Sequence, residues 1–157
     1  DLGLVEGICR LPNLRYTTFL QDELVAVVHT GSKLSLPDEI TPEDLSRIPL
    51  VLRERGSGTL DVFERALSEH NMKLSSLNVL LYLGSTESIK LFLEHTDCIG
   101  IVSIRSISRE LLSGTFRVIE IKGMPMLREF CFAQPQGQES GLSQVLMQFA
   151  MHHNKKL

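Results

Sequence analysis

Several features are missing from this chain of 157 residues. Its three cysteines, Cys9, Cys98 and Cys131, stand far apart without a CxxC pair, which fits buried thiols in a reducing, cytoplasmic compartment better than a disulfide framework. No apolar run reaches the roughly 20 residues that a bilayer span requires, and no charged and apolar opening marks a signal peptide. Membrane attachment is therefore not expected. Positive charge is not in excess, since 16 Lys and Arg face 19 Asp and Glu for a net charge of −3. The basic residues are scattered, so the chain lacks the footprint of a nucleic-acid surface.

Groupings that carry catalysis are also lacking. His152 and His153 are adjacent on a helical pattern and point apart, unlike a metal-binding i, i+4 pair. His29, His70 and His95 are isolated at the ends of elements, and nothing aligns Cys9 or Cys98 with a histidine. No catalytic residue, metal site or cofactor is assigned, and the chain is not read as an enzyme. What is present is a 43% hydrophobic composition, enough for the core of one or two small domains. The sequence opens directly before a strand, as the interior of a longer protein does.

Strand and helix patterns alternate along it. Residues 3–7 form a short apolar strand, 11–20 an edge strand closed off by Asp22-Glu23, and 24–28 a buried strand. Thr41-Pro42-Glu43-Asp44 is a capped helix start. Strands at 48–52, 77–83 and 98–102 are each followed by a helix, over about 59–70, 87–96 and from Ser103 to Gly114. Strands at 116–121 and 128–133, separated by Gly123 and Pro125, precede a last amphipathic helix over about 139–153. This order implies an α/β fold with a mainly parallel or mixed sheet flanked by helices.

The most informative stretch runs from Ile48-Pro49-Leu50-Val51-Leu52 through Arg53-Glu54-Arg55-Gly56-Ser57-Gly58-Thr59 into the helix beginning at Leu60. Glycines allow a tight turn, a hydroxyl caps the helix, and the free N–H groups at its start attract an anion. An ordinary capped turn has the same residues, so the heptapeptide leaves both readings open. Two further junctions, Gly84-Ser85-Thr86 and Ser103, have the same character. Gathered at one sheet edge, the three would suit a carboxylate, phosphate or sulfate, with Arg53 and Arg55 available to neutralise it.

These residues resemble the effector-binding domain of LysR-type transcriptional regulators, over nearly the whole chain. Asp1-Leu2-Gly3-Leu4-Val5-Glu6-Gly7 is similar to the family's strand leading into its hinge, and Leu45 with Pro49-Leu50-Val51 to its "L then PLV" element. Arg53-Glu54 with Gly56-Ser57-Gly58-Thr59 looks like its REpGSGT turn. Ser85-Thr86-Glu87-Ser88-Ile89-Lys90 matches a family helix start, and Ile99-Gly100-Ile101-Val102-Ser103 a family strand. None is specific alone; their order is. The family's ending is matched by Arg128-Glu129 before an apolar strand and a final helix.

The resemblance implies a two-lobed fold like type 2 periplasmic binding proteins, with a small-molecule cleft between lobes. Residues 11–123 would form the second lobe, and 1–10 with 124–157 an incomplete first lobe. The winged helix-turn-helix would be absent, leaving DNA contact to that missing domain. The effector-binding residues carried over are Glu6, Gly7, Gly56, Ser57, Gly58, Thr59, Ser85 and Thr86, and the expected effector is a small anion. Partners implied are further copies of the chain, as a homodimer or tetramer. Two departures stand out: Cys98 replaces a usual glycine, and the reactive cysteine of the peroxide-sensing branch has no counterpart, Gly58 lying near its place, which argues against thiol sensing. The alternative is a solute-binding protein fragment of the same fold with a transport role.

Overall fold

Val25 and Val27 face one side of a strand while Leu24, Ala26 and Val28 face the other, and all five are buried. A strand covered on both faces reads as an unbroken apolar run, and this one lies at the centre of its sheet. The computed structural model describes residues 2–6, 11–137 and 141–154. The chain forms two compact units, one comprising Glu23–Leu127 and the other the described parts of 1–22 and 128–157. Strands are β1 (Gly3–Glu6), β2 (Leu14–His29), β3 (Glu39–Ile40), β4 (Leu50–Arg53), β5 (Val79–Leu83), β6 (Ile99–Ser103), β7 (Phe116–Ile121) and β8 (Met126–Pro135). Helices are α1 (Gly58–Glu69), α2 (Thr86–His95), α3 (Ser108–Leu112) and α4 (Gly141–Asn154).

In the larger unit the strands lie in the order β3-β7-β2-β6-β4-β5. β4 is parallel to both β5 and β6, and β2 is antiparallel to β6 and β7. The fold is thus the mixed sheet flanked by helices that the alternation implied. Leu60, Phe63 and Leu67 of α1 join Leu24, Leu50, Leu52 and Ile99 in one core. Ile89 and Leu93 of α2 join Val27, Val51 and Val102 in the other. The helix expected after Ser103 is divided into a 3-10 turn, Ile104–Ile107, and α3. Local serine bonds compete with the regular ladder there, Ser106 Oγ donating to Ser103 O and Ser108 Oγ to Arg105 O.

In the other unit β1 pairs antiparallel with β8, from Gly3 opposite Ala133 to Glu6 opposite Phe130. Asp22-Glu23 does not end a strand; β2 continues through it. Asp22 is 5% exposed and Arg128 makes that burial tolerable, with Nε and Nη2 at 2.8 and 2.7 Å from Asp22 Oδ2. Arg128 Nη1 also donates to Glu6 Oε1 at 3.0 Å, so one guanidinium joins residues of β1, β2 and β8. The apolar stripe of α4 is exposed, with Leu142 80% and Phe149 60% accessible.

Two stability predictions follow from the packing. A Cβ on Gly100, in β6, would lie 2.9 Å from Ile89 Cγ2 and 3.1 Å from Leu93 Cδ1 of α2, so Gly100→Ala should lower unfolding free energy by about 1–3 kcal/mol in a denaturant titration. Arg128→Met should cost about 3–5 kcal/mol because it strands a buried carboxylate, and adding Asp22→Asn should restore part of the loss. Equal stability of the single and double variants would refute the pairing.

Candidate functional site

Parallel pairing brings strand ends together. Arg53, the last residue of β4, lies opposite Leu83, the last of β5, and β6 runs parallel on the other side of β4. The three expected junctions therefore share one edge of the sheet in the larger unit. After β4, Ser57 N–H donates to Glu54 O at 3.2 Å and Gly56 adopts φ +85°, a left-handed conformation suited to glycine. Ser57 Oγ then accepts from Leu60 N at 3.2 Å and caps α1. After β5, Ser85 Oγ accepts from Ser88 N at 3.1 Å and caps α2. Beyond β6, Ser103 Oγ accepts from Arg105 N at 3.2 Å.

Arg53 links the first two junctions. Its Nε and Nη2 donate to the Glu54 carboxylate at 2.9 and 3.0 Å, and Nη2 lies 3.4 Å from Gly84 O. Glu54 N–H donates to Leu83 O at 3.1 Å. The Arg53 guanidinium holds the Glu54 carboxyl below its ordinary value. A cation and two helix N-termini are thereby collected within one turn of chain on either strand. The helix ends leave first-turn N–H groups to be satisfied from outside the helix, which favours an anionic group.

Of the residues predicted from sequence, Gly56, Ser57, Gly58, Thr59, Ser85 and Thr86 are gathered at this edge. Ser57 and Thr59 are buried, Gly58, Ser85 and Thr86 half-buried, and Gly56 exposed. Glu6 belongs to the other unit, where Arg128 binds it; Gly7 lies outside the described residues. Sequence reasoning missed a cavity of about 470 Å³ in the larger unit, lined by Glu23–Ala26 of β2, Ile104, Val118–Ile121 of β7 and Gly123–Met126. One of its lining residues, Leu24, is paired with Ser103 at the end of β6. Its volume falls within the range of small-molecule sites, about 300–1,000 Å³. Its acidic members are Glu23 and Glu120, and its apolar lining includes Leu24, Met124 and Met126.

The thiols are poorly placed for chemistry. Burial, with help from the neighbouring Asp97 charge, pushes Cys98 up to about 11, so it is protonated at neutral pH and a weak nucleophile. Cys131 is buried as well, and Cys9 lies outside the described residues. Among the described residues no three His, Cys, Asp or Glu side chains form a metal-holding group. No helix among them is long and apolar enough to cross a membrane.

Comparison with known proteins gives the same direction. The LysR substrate binding domain family model matches residues 1–155. The regulator YeiE of Escherichia coli K12 is 33% identical over 121 residues, covering 77% of this chain and 40% of YeiE. The activator CmpR of Synechocystis is 29% identical over 144 residues, covering 91% of this chain and 46% of CmpR. The chain thus spans less than half the length of these curated relatives. The Synechocystis CcmR regulatory domain, solved in complex with 2-PG, superposes with a TM-score of 0.82 at 25% identity, over all of this chain and 74% of that one. The match along the chain and the arrangement of its strand ends agree: this chain belongs to the LysR substrate-binding domain family.

Proposed function

We propose that this chain senses a small anionic effector on behalf of a LysR-type transcriptional regulator. The observation that carries the reading is the meeting of two serine-capped helix N-termini at the ends of β4 and β5, with Arg53 between them. The anionic group is received by the Gly56–Thr59 turn and the Ser85–Thr86 turn, and the cavity beside Ile104 takes the rest of a larger effector. By the family resemblance, Glu6 and Gly7 are proposed as further effector-binding residues. That the CcmR regulatory domain was solved with 2-PG supports a small-molecule ligand for a related fold.

In the whole regulator, the two units belong to two lobes, and the effector acts by its unequal affinity for two arrangements of them. A homodimer or tetramer passes the change to winged helix-turn-helix domains, which make the contact with DNA. Sensing is by ligand capture rather than by thiol oxidation, consistent with the raised Cys98 thiol.

The test is calorimetric melting of the chain, and of a form extended through a complete first lobe, with inorganic phosphate, sulfate, small carboxylates and 2-PG. One compound should give a saturable rise, worth about 2.7 kcal/mol at a hundred times its Kd. Ser57→Ala and Thr59→Ala should abolish that ligand-dependent rise. Because a lost cap alone costs about 1 kcal/mol, variants are compared by the shift on adding ligand, not by Tm. Absence of any shift in the extended form would overturn the proposal. In parallel, peroxide at neutral pH should leave Cys98 a free thiol in intact-mass analysis; oxidation of Cys98 accompanied by altered melting would favour redox sensing.

A further inference from the structure

Lys90 lies in the second turn of α2, where a lysine ordinarily extends into water. Here its side chain is only 13% exposed. An ammonium carries three donors, and Lys90 Nζ has three acceptors: Glu87 Oε1 at 3.0 Å, Ser106 O at 3.1 Å and Glu110 Oε1 at 2.6 Å. Glu87 belongs to α2 itself, whereas Ser106 and Glu110 belong to the segment that follows β6. Ser106 Oγ in turn donates to Ser103 O at 2.6 Å. A continuous line of polar contacts therefore runs from the first turns of α2 to the end of β6.

The line is held by charge. Burial works against the charged form of Lys90, yet its bonds to Glu110 and Glu87 outweigh this and raise its pKa above 10.5. The Lys90 bond correspondingly keeps the Glu110 carboxyl below 4.5. A tie of this kind, half out of water, has a defined length and direction that an apolar contact lacks. The helix it holds also rests directly on Gly100 of β6. Thus α2 is seated on its apolar face by close packing and fixed along its axis by Lys90.

We infer that Lys90 is a positioning residue, with Glu110 its anchor, that fixes the Ser85–Thr86 end of α2 relative to the Ser103 end of β6. Its bearing on effector capture rests on the function proposed above; its bearing on the helix does not. In a mobile α2 the Ser85 cap would no longer keep its place beside Arg53 and Gly84.

Amide hydrogen exchange tests the inference directly. In Lys90→Met, the Ser88 and Ile89 amides, bonded to Ser85 Oγ and Ser85 O, should exchange about tenfold faster through local opening. The Leu60 and Asp61 amides, which make the equivalent bonds at Ser57 in α1, should keep their rates and serve as the control. Lys90→Arg should recover part of the protection. If Lys90→Met fails to fold, Glu110→Gln, which preserves shape and weakens the anchor, carries the same comparison. Unchanged exchange at Ser88 and Ile89, or equal acceleration in α1 and α2, would overturn the positioning role. The melting series on the extended form separates the two readings: no shift with any of the phosphate, sulfate and carboxylate probes rejects the proposed function, and the exchange result still decides the role of Lys90.

Discussion

Parallel pairing of β4 with both of its neighbours is the constraint on which the rest depends. Parallel strands require crossovers, and here each crossover leaves from the same edge of the sheet. α1 packs into one core and α2 into the other, so the helices diverge while their first turns stay near one another. Arg53 is placed at that meeting point because it is the last residue of the central parallel strand. The gathering of helix N-termini at this edge therefore derives from topology first and from residue chemistry second. Serine caps at Ser57 and Ser85 would be ordinary features if the strands had been antiparallel and the caps at opposite ends.

Much of this was legible in the sequence because the signals are local. The continuous apolar runs at 24–28 and 98–102 announce strands buried on both faces, and Ser57 and Ser85 sit immediately before amphipathic patterns. Gly56 and Gly58 mark the turn, and Gly56 does take a positive φ. Six of the eight predicted binding residues come together for that reason. Motif order is also what favoured a LysR-type domain over a solute-binding fragment, a distinction that the fold alone does not draw.

What could not be read depends on distant partners. Asp22-Glu23 looked like a strand end because two acids rarely sit inside a sheet. The residue that reverses this is Arg128, 106 positions away. The cavity near Ile104 escaped notice because its walls come from segments about a hundred residues apart, none with a motif of its own. Lys90 was visible only as one letter of a helix start. Its i, i+3 relation to Glu87 reads as a surface pair, and nothing local reveals that Ser106 and Glu110 enclose it.

The exposed stripe of α4 has a practical meaning for any laboratory handling this chain. Leu142, Val145, Leu146 and Phe149 present apolar surface in the folded state, so environment-sensitive dyes will fluoresce before heating begins and flatten an unfolding trace. Intrinsic emission offers little relief, since the chain has no tryptophan and two tyrosines. Heat capacity and far-ultraviolet dichroism, which sense cooperative melting of the sheet itself, are the signals that this surface leaves undisturbed.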